Sequence, residues 1–274
     1  MSHTTVTYKG DSAQRIDMRW LSELSAKSNS TNQFEKHSLL VGSEQVNVGD
    51  LFDISGKVPN EKIVLENSTT KMDYVGYALS NGLRFQVKGN VGHYAGAKLA
   101  GGKLKIDGNA QDFEGCGMSK GLVEISGDSG DYVGGAAAGE KKGMSGGTIL
   151  IHGNAANFTG DLLRRGLIMV VGNIGDYCGS RMIAGTIANL GGIGKQVGVG
   201  MRRGTLLLPH KPKDVITGFH DCGRHSLGYL TLLLHELRRH HSTFRSLHPM
   251  RRRVQRYLGD AAVGGQGEML IWIG

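Results

Sequence analysis

The chain has 274 residues, of which 44 are glycine and only 4 proline; 39% are apolar, and 32 basic against 24 acidic residues give a formal charge of +8. Collagen would need glycine at every third position with abundant proline, and a disordered Gly/Ser segment would hold far fewer apolar residues, so both are excluded. Three cysteines, Cys116, Cys178 and Cys222, make neither a disulfide framework nor a CxxC metal motif, and a reducing compartment suits them.

The start, Met1 to Thr5, lacks a basic stretch followed by an apolar run, and the longest apolar stretch, Leu227 to Leu234, is too short to span a bilayer. The expectation is a soluble cytoplasmic protein. Residues 1–63 are predicted to form an N-terminal cap, with a strand-like stretch from Val46 to Gly56, because an open end of a stacked structure would expose unpaired strand edges.

Beyond the cap the glycines become periodic. Gly-Asn or Gly-Asp pairs begin at Gly89, Gly108, Gly127, Gly153 and Gly172, in steps of 19, 19, 26 and 19, and Gly191 adds another 19. Seven residues after each stands a second glycine: Gly96, Gly115, Gly134, Gly160, Gly179 and Gly198. An aromatic precedes it by two in all but the last (Tyr94, Phe113, Tyr132, Phe158, Tyr177), and a weaker earlier copy ends in Tyr74-Val75-Gly76. A third series runs Gly102, Gly121, Gly147, Gly166, Gly185 and Gly204; the step of 26 is one unit with a seven-residue insertion between Gly135 and Gly147.

Short alternating runs such as Lys103-Leu104-Lys105-Ile106-Asp107 and Leu122-Val123-Glu124-Ile125-Ser126 follow the third series and read as half-buried strands. One such unit cannot bury its apolar face alone, whereas stacked copies can. Residues 64–208 are therefore predicted to form an all-β solenoid of about seven 19-residue coils, roughly 30 to 35 Å tall at the usual strand spacing. Its structural coil corners fall at Gly89, Gly96, Gly108, Gly115, Gly127, Gly134, Gly153, Gly160, Gly172 and Gly179, where glycine permits positive φ. Gly115-Cys116-Gly117 and Gly191-Gly192-Ile193-Gly194-Lys195 resemble fragments of phosphate loops but complete no such pattern, and no Asp nonapeptide array for calcium is present.

Residues 209–274 read as a basic, partly helical C-terminal extension: Pro209 and Pro212 break the last strand, a helix covers Leu227 to Leu237, and Glu268 to Ile273 form a final strand or docking segment. Residues 210–258 hold ten Lys/Arg against Asp214, Asp221 and Glu236, and seven of the eleven histidines. That charge suits a polyanion such as nucleic acid, or a solvated face docking acidic partner subunits; with no nucleic-acid-binding signature, the second reading is preferred. His235, His240 and His241 are poorly spaced for one helical face, and the run His220-Asp221-Cys222 to His225 completes no recognisable ligand set, so no metal site is expected. Scattered acids such as Asp107, Asp112, Glu124 and Asp131 show no paired pattern for glycosidic chemistry, and no catalytic residue is assigned.

The repeat GN-x3-F/Y-x-G-x5-G-x-L/I/V is seen at Gly108-Asn109 with Phe113-Glu114-Gly115, Gly153-Asn154 with Phe158-Thr159-Gly160 and Gly172-Asn173 with Tyr177-Cys178-Gly179. It resembles the Gly-rich β-helix shared by the C subunits of formylmethanofuran dehydrogenases and the C-terminal domain of the glutamate synthase large chain. Val48-Gly49-Asp50-Leu51-Phe52 is similar to the segment preceding the repeats in the dehydrogenase proteins rather than in glutamate synthase. Arg256-Tyr257-Leu258-Gly259-Asp260 and Gly265-Gln266-Gly267-Glu268-Met269-Leu270 are similar to the bacterial branch, the C subunits of the formyltransferase/hydrolase complex of methylotrophs. The insertion at 135–147 and Gln196 in an aromatic position depart from the pattern.

The resemblance implies a right-handed parallel β-helix scaffolding a one-carbon complex that moves formyl from tetrahydromethanopterin to a methanofuran-type carrier and hydrolyses it to formate. The partners it implies are an amidohydrolase-like subunit, a formyltransferase subunit and a dehydrogenase-B-like subunit; no membrane, nucleic acid or directly bound cofactor is implied. The archaeal alternative is a molybdenum or tungsten formylmethanofuran dehydrogenase. Because such carriers bear γ-glutamyl carboxylates, Arg238, Arg239, Arg251, Arg252 and Arg253 are candidates to hold the acidic tail or a partner.

Overall fold

A computed structural model describes residues 3–10, 12–26, 31–56, 61–215, 217–240, 242–245, 247 and 252–273. The N-terminal segment gives β1 (Thr4–Tyr8), β2 (Ile16–Asp17), α1 (Arg19–Ala26), α2 (Thr31–Glu35), β3 (Ser38–Val41), β4 (Glu44–Asn47), α3 (Val48–Leu51) and β5 (Phe52–Gly56). The repeats supply β6 (Lys62–Ser68), β7 (Met72–Asp73), β8 (Arg84–Gly89), β9 (Ala100–Ile106), β10 (Lys120–Ile125), β11 (Thr148–Ile151), β12 (Leu167–Val170), β13 (Thr186–Asn189) and β14 (Thr205–Leu208). The C-terminal segment adds β15 (His220–Ser226), α4 (Leu230–His240), α5 (Ser242–Arg245), β16 (Arg253–Gly259) and β17 (Gly267–Trp272).

These strands form a 13-stranded sheet in the order β15-β16-β17-β14-β13-β12-β11-β10-β9-β8-β6-β1-β5 and a four-stranded sheet β4-β3-β2-β7. Repeats pair in parallel with the register of the sequence period: Phe85 faces Leu104, Leu104 faces Val123, and Ile168 faces Ile187. The longer step is absorbed outside the strands, since Val123 still faces Ile149.

The expected all-β, right-handed parallel β-helix with a cap and an extension is corrected here. The large sheet is mixed: β1 pairs antiparallel with β5, and β16 runs antiparallel to both β15 and β17. Five α-helices accompany it among the described residues. The period enforces parallel pairing only where it exists. The flanking segments lack it, yet β1 joins beside β6 and β17 beside β14, so both flanks are strands of the same sheet, and they turn back through pairings that reverse direction.

The core has two parts. Inward side chains of successive strands, among them Leu104, Ile106, Val123, Ile125, Ile149, Ile168 and Ile187, are fully buried with Met118, Met144 and Met182 from the turns. On the opposite face of the sheet, Leu150, Met169, Ala188, Leu207 and Leu270 are covered by Leu230, Leu234 and Leu237 of α4 together with Phe244 and Leu247. The i, i+4, i+7 spacing of the three α4 leucines places them on one helical stripe, so the helix lies along the sheet. Among the described residues no helix is long and apolar enough to cross a membrane.

Candidate functional site

Each repeat leaves its strand through a turn whose polar side chains bind the next repeat. Asn109 N–H donates to Asn90 Oδ1 (2.8 Å), Asp128 N–H to Asn109 Oδ1 (2.8 Å), Asn154 N–H to Asp128 Oδ1 (2.7 Å) and Asn173 N–H to Asn154 Oδ1 (2.9 Å). A second ladder runs beside it, from His93 N–H to Asp73, Asp131 N–H to Asp112, Asn157 N–H to Asp131, Asp176 N–H to Asn157 and Lys195 N–H to Asp176. The acids that the sequence scatters through the turns are thus acceptors for backbone donors that would otherwise go unpaired.

The glycines fall into two groups. Gly96, Gly115, Gly134, Gly160 and Gly179 adopt φ of 62 to 73°, and Gly89 has φ 127°. Gly108, Gly127, Gly153 and Gly172 are needed for space instead: a Cβ on Gly153 would stand 2.6 Å from the Gly127 carbonyl, and one on Gly172 2.5 Å from that of Gly153. Positive φ falls as well on residues with side chains, since Tyr74, Tyr94, Phe113, Tyr132, Phe158 and Tyr177 all lie at 57 to 68°. Such backbone costs on the order of 1 kcal/mol per residue. The rings offset it by stacking in one column, with centroids 4.8 to 4.9 Å apart and planes within 9° of parallel. The Arg19 guanidinium, held by Asp17, closes one end 4.9 Å above Tyr74; Gln196 ends the column beyond Tyr177.

Two carboxylates lie inside the stack. Glu114 is fully buried and accepts from Ser129 Oγ at 2.8 Å; burial pushes its carboxyl up to about 8, against that hydrogen bond and one from the backbone. Asp161, 1% exposed, accepts from Ser180 Oγ at 2.7 Å and takes both arms of Arg181. Neither faces solvent. Burial raises the Cys116 thiol to about 11 and the Cys178 thiol to about 12, so both stay protonated and are not activated as nucleophiles. Among the described residues no three His, Cys, Asp or Glu groups are placed to hold a metal ion.

The predicted arginines occupy two elements. Arg238 and Arg239 end α4: Arg238 Nε donates to the Arg245 carbonyl at 3.2 Å, and Arg239 Nη1 pairs with Glu236 at 3.1 Å while its side chain is 77% exposed. Arg252 precedes β16 and Arg253 begins it, exposed, with its carbonyl accepting from Ile273 N–H; Arg251 lies outside the described residues. No hydrogen bond or ion pair joins the two pairs among the described residues. The tail is tied down by Glu268, which accepts from Thr205 Oγ1 (2.9 Å), Tyr229 and Arg256 Nε (3.1 Å).

A second basic feature escapes a charge count taken region by region. The segments between the second and third glycines of the repeats expose Lys98, Lys120, Lys141, Lys142, Arg164, Arg165, Arg181, Arg202 and Arg203. Their recurrence at equivalent positions was the available signal.

No protein-family profile matches the sequence, and no curated protein matches it. Among solved structures the chain is similar to one from the formyltransferase/hydrolase complex (FhcABCD) of Methylorubrum extorquens, determined in complex with methylofuran. The TM-score is 0.91, the identity 32%, and the likeness covers 98% of this chain and 100% of that one.

Proposed function

The chain belongs to the family of subunits that build the formyltransferase/hydrolase complex, and from that premise we propose that it serves as the C subunit, a cytoplasmic scaffold without chemistry of its own. Formyl transfer from tetrahydromethanopterin to a methanofuran-type carrier, and hydrolysis to formate, then belong to a formyltransferase subunit and an amidohydrolase-like subunit, joined by a dehydrogenase-B-like subunit. The observation that carries this reading is the whole-length likeness at 32% identity. It is supported by the fate of the polar groups: the turn acids are spent on backbone donors, and the buried thiols are held protonated.

In the same reading the basic tail draws in the carboxylates of the carrier, with Arg239 and Arg253 exposed for contact, Arg238 and Arg252 beside them, and Arg251 contributing charge. Affinity purification of the tagged chain from its own cell tests the assignment. Recovery of a formyltransferase and an amidohydrolase-like subunit is expected. Recovery of iron–sulfur subunits would reassign the chain to a dehydrogenase, and recovery of the chain alone would remove the scaffold reading. Charge reversal of Arg239 and Arg253 with unchanged carrier affinity in the assembled complex would remove the tail assignment.

A further inference from the structure

Charge on the repeats is sorted by turn. The segments from the first-series glycine to the aromatic position hold Asp112, Asp128, Asp131 and Asp176 against Lys195. The segments from the second to the third glycine hold nine Lys/Arg against Glu140 and Asp161. All nine bases are exposed, whereas Asp161 is buried beneath Arg181. Among the described residues, Arg181 alone of the nine has a salt-bridge partner.

These bases are in spatial line because the repeats are in register. Lys120 N–H bonds to Leu99, Arg165 N–H to Met144, Ala184 N–H to Leu163 and Arg202 N–H to Met182, each the carbonyl of the preceding repeat at the same turn. Lys98 and Arg181 share another equivalent position, both at positive φ (54° and 49°). Arg164-Arg165 and Arg202-Arg203 are two repeats apart, about 10 Å at the strand spacing, and the whole ridge spans roughly 24 Å. The insertion at 135–147 extends the same corner, adding exposed Lys141 and Lys142. Arg181 is anchored by a two-armed bond to a buried carboxylate, so its exposed guanidinium loses little freedom on meeting an anion.

We infer that this ridge is a docking surface for an extended acidic polypeptide segment of a partner subunit, distinct from the tail arginines. A row of bases in which only Arg181 has an internal counter-ion repels itself and is relieved by a matching row of carboxylates. Single-stranded nucleic acid fits less well. It relies on open aromatic faces for stacking, and the aromatic column beside the ridge is stacked on itself, ring against ring.

The inference rests on the chain working within a complex, and its test separates the two. The assembled complex is treated with a carbodiimide, which couples lysine amines directly to contacting carboxylates, and is acetylated in parallel. Cross-links from Lys98, Lys120, Lys141 or Lys142 to Asp or Glu of a partner, with protection from acetylation lost in the free chain, are the expected result. Ridge lysines that acetylate equally in complex and free chain, or that are protected without any link to a carboxylate, overturn it. If no complex is recovered, the ridge is measured on the purified full-length chain with a fluorescent oligo-glutamate peptide. Replacing Arg164, Arg165, Arg202 and Arg203 by Glu is expected to weaken peptide binding about tenfold or more at low salt, while K36E/K195E, at exposed lysines off both the ridge and the basic tail, leaves it within about twofold. Equal loss in both variants, no loss in either, or tighter binding to a single-stranded oligonucleotide than to the peptide overturns the inference.

Discussion

Strands β8 to β10 and strands β11 to β14 belong to one sheet, share one register and bury the same inner column, yet their outer faces differ. Gln86, Lys105 and Glu124 are partly exposed on the first group, where Gln86 donates to Asp107 and Lys105 and Lys103 pair with Asp107 and Glu124. At the same positions in the second group stand Leu150, Met169, Ala188 and Leu207, at most 1% exposed under α4. The repeat itself is therefore indifferent to what lies on its outer face. Alternation marks a face open to water, and its loss marks a face that something covers.

The largest expected effect comes from forcing the covered half to resemble the open one. Met169→Asp or Leu207→Lys puts an unpaired charge beneath α4 and should cost about 4 kcal/mol or more in chemical denaturation, whereas Leu234→Ala on the helix should cost about 2 to 4. The reciprocal change, Lys105→Met, removes only a partly exposed pair and should stay within about 1 kcal/mol. Equal losses on both halves would mean that α4 does not seal the outer face.

Glu114 sharpens the comparison inside the stack, because its counterparts in the covered half, Thr159 and Cys178, are uncharged at neutral pH. With its carboxyl raised from the usual 4.5 to about 8, the folded state holds the proton more tightly than the unfolded chain. The contribution is therefore most favourable below pH about 4.5, declines as pH rises towards 8 and levels off above it. We expect Glu114→Gln to raise the Tm by several degrees at pH 9 and to change it little near pH 4.5, in melts on otherwise identical samples. A Tm difference that does not vary with pH would place the proton elsewhere.

The period and the strand register were legible because glycine and aromatic spacing report directly on chain geometry. Mixed pairing was not, since β1 and β17 carry no trace of the period: β1 joins the sheet on alternating burial and β17 on a continuous buried run, Met269 to Trp272. The α4 cover was readable in principle: Leu167-Ile168-Met169-Val170 does not alternate, and burial on both faces is what such a run means. The function of the acids was hidden for a different reason. Asp112 and Asp131 are 19 residues apart in sequence but act as consecutive rungs, and a ladder looks like scatter until the repeats are stacked. Arg238 and Arg239 stood out as a charged run, while the ridge that includes Arg164 and Arg202 was diluted by the acids of the opposite turn.

The smallest effects should come from the rungs common to both halves, and they test whether the two halves are held together in the same way. Asn109 Oδ1 accepts from Asp128 N–H at the level of the open strands, and Asn154 Oδ1 accepts from Asn173 N–H at the level of the covered ones. Both sites are exposed enough for water to replace the lost acceptor, so Asn109→Ala and Asn154→Ala should each cost about 1 kcal/mol and agree within a few tenths. Hydrogen exchange of the Asp128 and Asn173 amides should accelerate in the matching variant alone. A markedly larger cost at Asn109 would mean that the open half depends on its ladder for stability that the covered half draws from α4. The two halves would then differ in what secures them and not only in what they face.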